Sequence, residues 1–176
     1  MLAFVNEPDE KWAEKLTDAN RAARAAGRHD AADYMELRAA NDAIRREGVE
    51  WLFSTLIAIA AGANRSAGTI SIEREEPHDF QHRGANLVGS LIRLRQGVRC
   101  LTVEAGWTRT PGDGFMRGGP LAVARIVHFG MPRSNAELAL ARVGGSAAWK
   151  LVREDMPAAD FGENDLNMHF AIFCGG

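Results

Sequence analysis

Leu91-Ile92-Arg93-Leu94-Arg95-Gln96-Gly97-Val98-Arg99-Cys100-Leu101-Thr102-Val103-Glu104-Ala105 is the stretch that decides the fold. Apolar and polar residues alternate on both sides of Gln96-Gly97. That is the pattern of two half-buried strands joined by a tight turn. The spacing sets Ile92 opposite Leu101, with Leu94 and Val103 on the same side. Arg93, Arg95, Thr102 and Glu104 fall on the other side. One face of the hairpin is greasy and the other is charged.

Upstream, Gly68–Glu73 alternates as a strand does, with Ile70 and Ile72 on one face. Pro77 and the polar run to Gly84 read as a loop. Downstream, Thr108–Pro120 holds four glycines and two prolines and reads as irregular. Leu121–Phe129 resumes as a strand, with Leu121, Val123, Val127 and Phe129 on one face and Arg125 among them. Ser134-Asn135-Ala136-Glu137 has capping-box spacing, so residues 137–152 are either a helix or a strand hairpin about Gly144-Gly145. The hairpin is the favoured reading. Met156–Asn164 reads as an acidic loop. Leu166, Met168, Phe170, Ile172 and Cys174 alternate and predict a final strand, with His169 on its exposed side.

The first third is helical in pattern. Pro8 suits a first turn, and Trp12, Leu16, Ala19, Ala23 and Ala26 make a stripe of mostly small residues. Gly27 is a stop. A second helix follows from Asp30, with Tyr34, Leu37, Ala40 and Ile44 as its buried face. A break is expected at Gly48, and Val49–Ala63 is apolar enough to form a third, core helix. Helices first and hairpin strands afterwards predict an α+β domain, with the N-terminal helices on one face of a mostly antiparallel sheet. Residues 1–63 would be the helical layer and 64–176 the β-rich layer.

Over 176 residues the net charge is −2, with 18 Arg against 3 Lys. The charge is uneven. Residues 1–62 carry −3, residues 63–153 carry +6, and residues 154–176 carry −5. Arginine suits bidentate contact with phosphate or carboxylate. The two cysteines form no disulfide framework, and no stretch is long and apolar enough to span a bilayer. A cytoplasmic location is the expectation.

The segment 107–120 is the candidate ligand site. Its glycines could bring backbone amides close to an anion. Arg109 and Arg117 could clamp that anion, with Arg125 beside them, and Trp107 and Phe115 could stack on a planar group. Asp113 could instead pair with one of the arginines. Glu104 and His128, on neighbouring strands, are the candidate acid and base. His78 and His82, with Asp79 between them, have an i, i+4 spacing that would serve a metal only on a helix, and Pro77 and Gly84 argue against a helix there, so no metal or cofactor is expected. These residues suggest a binding module for an anionic ligand, nucleic acid included. The alternatives are a homo-oligomer assembled through the Ala-rich N-terminal helices, or an enzyme acting on a small anionic substrate.

Overall fold

A computed structural model describes residues 7–66, 69–114, 116, 118–153 and 158–175, with side chains from Glu14 onward except Pro111. Helix α1 (Glu7–Ala25) and helix α2 (His29–Ser66) come first. Seven strands follow: β1 (Ser71–His82), β2 (Ala85–Gln96), β3 (Arg99–Trp107), β4 (Val123–His128), β5 (Ala136–Val143), β6 (Ser146–Val152) and β7 (Ala159–Asp160). Helix α3 (Glu163–Cys174) closes the described chain. The strands form one antiparallel sheet in the order of the sequence, β1 to β7. The architecture is α+β, as the pattern of the chain predicts.

The chain forms two compact units divided within α2, after Ile44. In the first unit, α1 ends in a left-handed turn at Gly27 (φ 71°), and the Arg28 amide returns to the Ala23 carbonyl at 2.9 Å. Ala23 and Ala32 are buried, and Asn20 donates to the Ala32 carbonyl at 3.0 Å. Arg24 bonds Glu36 at 2.6 Å. Tyr34 and Leu37, expected in the buried face of the second helix, are exposed at 64% and 55%, and Ala40 is exposed too. The side chain of Trp12 lies outside the described residues.

The second unit is a sheet with one covered face. Leu52, Phe53, Leu56 and Ala60 of α2 are fully buried, as are Ile92, Leu94, Leu101, Val103, Ile126 and Leu140 of the strands. Their strand positions alternate onto one face, here the core face. The expected break at Gly48 is absent: α2, 38 residues in all, runs through it. Gly48 serves a different purpose. A β-carbon there would lie 2.6 Å from Leu140 Cδ1, and the Gly48 carbonyl accepts the Trp149 indole N–H at 2.8 Å. The glycine lets the helix backbone approach β5 and β6 closely.

Three other expectations change. The loop expected from Pro77 to Gly84 is strand: β1 continues through Pro77 and turns at Arg83-Gly84 into β2. Proline is tolerated because β1 is an edge strand with a register shift between Glu75 and His78. The β2–β3 register sets Ile92 opposite Val103 and Leu94 opposite Leu101, two residues from the expected pairing but on the expected face. The last segment is a helix rather than a strand. Leu166, His169 and Phe173 recur at helical spacing and are all buried, so His169 is not exposed. Residues 137–152 form the strand hairpin. Gly68 and residues 154–157 of the acidic segment lie outside the described residues.

The two glycines of α2 make opposite predictions. Gly48→Ala should destabilise by about 1–3 kcal/mol through overpacking against the buried Leu140. At Gly62 a β-carbon finds only the Arg65 side chain, at 3.7 Å. Gly62→Ala should therefore gain up to about 1 kcal/mol from helix propensity. Urea denaturation of both variants checks the pair of signs.

Candidate functional site on the open face of the sheet

The other face of the sheet carries its charge in rows, since same-face residues recur every second position, about 7 Å apart. One row is Glu75, Leu91, Glu104, Arg125 and Glu137 across β1 to β5. On one side of it lie Glu73, Arg93, Thr102 and Val127. On the other lie His78, Gly89, Gly106 and Val123. His78 shares a face with Glu75 only because the bulge between them inserts one residue.

The two opposed glycines form a saddle. A β-carbon on Gly106 would lie 3.0 Å from Phe80 Cε1, and one on Gly89 would strike the Ala105 carbonyl at 1.9 Å. The rings of His78 and Phe80 stack here, with centroids 5.7 Å apart. His78 thereby reaches from the edge strand to β3. Its Nε2 lies 3.0 Å from Glu104 Oε2, and its Nδ1 lies 3.2 Å from Glu75 Oε1. Arg125 bonds Glu104 Oε1 through Nε at 2.6 Å and through a terminal nitrogen as well. Its guanidinium carbon is 5.7 Å from the centre of the Phe80 ring. Glu104 is 8% exposed, so its charge is compensated from both sides. The imidazole thus bridges a buried carboxylate at Nε2 and the exposed Glu75 at Nδ1.

The row beyond Glu104 opens into a shallow cleft of about 350 Å³. Arg93, Arg95, Cys100, Thr102, Val127 and Phe129 line it with the hairpin tip Gly97–Arg99. Glu73 bonds both Arg93 (3.2 Å) and Arg95 (3.5 Å), so two guanidinium groups share one carboxylate. Phe129 is 73% exposed and Val98 91% exposed. The Arg99 side chain is turned away, donating to the Cys174 carbonyl at the end of α3.

The segment 107–120 is arranged differently from a clamp. Asp113 Oδ2 accepts the Arg109 amide at 3.0 Å, the Thr110 amide at 2.7 Å and the Thr110 hydroxyl at 3.0 Å. These bonds, the Thr110 amide first, hold the Asp113 carboxyl below its ordinary range. Asp113 thus occupies the small anion nest that its own turn creates. The Arg109 guanidinium lies 4.0 Å from the centre of the Trp107 ring, with Arg45 at 5.9 Å. Trp107 is buried at 5% exposure. Met116 and Phe80 cover Ala85, Leu87 and Val123 on the open face, so this segment roofs a small second core. Phe115 and Arg117 lie outside the described residues.

Of the candidate site residues, the structure brings Glu104 and Arg125 together and separates them from His128. Leu101 pairs with His128 and Glu104 with Arg125, an offset of three residues that puts His128 on the core face. There its Nε2 meets His169 Nδ1 at 3.0 Å. His78, expected in a loop and weighed there only for a metal, lies in β1 with its ring beside Glu104. The signal was present in Gly89 and Gly106, small residues inside two adjacent strands. No three His, Cys, Asp or Glu side chains among the described residues are grouped to hold a metal ion. No described helix is long and apolar enough to cross a membrane. No family model, curated protein or solved structure matches the chain.

Glu104→Ala removes the acceptor that Arg125 and His78 share. It should cost about 1.5–3 kcal/mol, the range for a hydrogen bond to a charged group. Glu36→Ala, which breaks an exposed pair with Arg24, should cost clearly less. Equal losses in guanidinium denaturation would refute the central role of Glu104.

Proposed function

We propose that the protein is a binding module for an anionic ligand, which it takes on the open face of the sheet beside Arg93 and Arg95. One observation carries this reading: two guanidinium groups border an open cleft and share a single carboxylate. An incoming phosphate or carboxylate completes the compensation, and arginine offers it a planar, bidentate contact. Phe129 and Val127 give the cleft an apolar wall, which favours an anion carrying a planar or apolar part, as a nucleotide does. The site is moved from the 107–120 segment because Asp113 already takes the amides of Arg109 and Thr110 there.

The test is fluorescence anisotropy with labelled single- and double-stranded DNA and RNA, alongside calorimetry with pyrophosphate. Binding should weaken as salt rises, because phosphate contacts release counterions. Arg93→Ala/Arg95→Ala should lower affinity by about tenfold or more, the loss of one charge-assisted contact. Arg109→Ala should have a smaller effect. An absence of binding by every probe at low salt would overturn the proposal.

A second reading, an enzyme acting on a small anionic substrate, is favoured by the Glu75–His78–Glu104 arrangement on the same face of the sheet. A carboxylate-oriented imidazole is the usual form of a general base. Turnover of a phosphodiester such as bis-p-nitrophenyl phosphate, lost in His78→Gln while pyrophosphate binding persists, would support it. Equal turnover by the variant would remove His78 from that role.

A further inference from the structure

We propose that the contact between His128 and His169 is an acid-operated latch: it holds α3 on the core face while both rings are neutral, and lets the helix go when the pair takes up a proton. The geometry is that of a single internal bond between two elements. His128, the last residue of β4, is 2% exposed, and His169, in the middle of α3, is 8% exposed. The rings stack with centroids 5.3 Å apart, and Nε2 of His128 lies 3.0 Å from Nδ1 of His169. Phe161 packs against the His169 ring from the other side, with centroids 6.1 Å apart.

A neutral pair needs one proton in the shared bond. The other nitrogen of His128, Nδ1, is buried and has no hydrogen-bond partner among the described residues. A bare lone pair is tolerable there. A proton on Nδ1 is not, because it would bury a charged N–H with no acceptor. The surroundings offer little relief. On β3 the residue opposite His128 is Leu101. Arg99, earlier on the same strand, is engaged with the Cys174 carbonyl. Asn135, beyond β4, uses its side-chain oxygen on the His128 amide at 2.8 Å. The charge that acts on the pair is Asp165, one turn before His169 on α3, which favours a protonated His169 and opposes the burial.

Burial first, and then the neighbouring His169, hold the His128 ring to about 4, and burial also holds His169 below the ordinary histidine value. The sign follows. Both groups bind a proton more readily once α3 has left the sheet. Docking is therefore at full strength above about pH 6.5, the ordinary histidine value. It weakens as pH falls from there through about 4. Release of α3 also frees Arg99, whose backbone lies at the rim of the arginine cleft.

The test is amide hydrogen exchange on the whole chain between pH 7.5 and 4, corrected for the intrinsic pH dependence of exchange. Histidine ring proton shifts are followed by NMR over the same range. Protection of the α3 amides should fall below pH 6.5 by up to about tenfold per pH unit for each proton taken up. The β2–β3 amides should keep theirs, and two histidines should titrate abnormally low. His128→Phe/His169→Leu should leave α3 protection flat with pH. If that variant does not fold, the wild-type profile decides alone. Loss of α3 and β2–β3 protection together, or an α3 profile flat to pH 4, would overturn the latch.

Discussion

The contact of α2 with the sheet at Gly48 is the constraint on which the second unit depends. A helix and a sheet ordinarily stand apart by the length of two side chains. At Gly48 that distance closes, because nothing larger than hydrogen projects toward Leu140. The carbonyl exposed by the missing side chain is taken by the Trp149 indole. Leu52, Phe53 and Leu56 of the same helix are fully buried, and the apolar alternation of the strands decides which face of the sheet is covered. The uncovered face is then free to carry charge.

On that free face a second pair of glycines does comparable work. Gly89 and Gly106 lower the surface between β1 and β4, and the rings of His78 and Phe80 lie in the depression. Glu104 is in consequence buried under its own partners without leaving the sheet. Charge that would be a scattered set of surface pairs becomes a connected row. In a low-dielectric setting such connected charges are coupled more strongly than exposed ones. The arginine cleft lies one row further on, at the end of the sheet where the hairpin tip and Phe129 stand up.

Much of this was legible in the sequence, and the failures have physical causes. The alternation in 91–105 gave the hairpin, its greasy and charged faces and the antiparallel class. The odd positions of β4, Arg125 among them, do share one face, but it is the open face, and Ala124, Ile126 and His128 turn to the core. The register slipped by two because a two-residue period fixes the face and leaves the pairing to the turn. Gly48 was read as a helix breaker because glycine is costly in a helix interior, and only tertiary contact reveals the compensation. His169 was counted as polar. That hid the Leu166, His169, Phe173 stripe and left a strand-like alternation. The helix had its own signals in Asp165, whose carboxylate takes the Gly162 amide at 2.8 Å, and in Gly175 with φ at 93°. The proline in β1 suggested a loop because edge position cannot be read from one strand alone.

The sheet order has a kinetic meaning. Each strand pairs with the strand before it, so the ladder can grow by hairpin closure between near neighbours. The bond from Trp149 to Gly48 spans 101 residues, a far longer closure than any turn of that ladder. The entropy cost of closing so long a loop grows only slowly with the length spanned. Wherever the ladder closes first, the helix that covers its core face has still to settle. Until it does, the greasy face of a finished meander stands open to water.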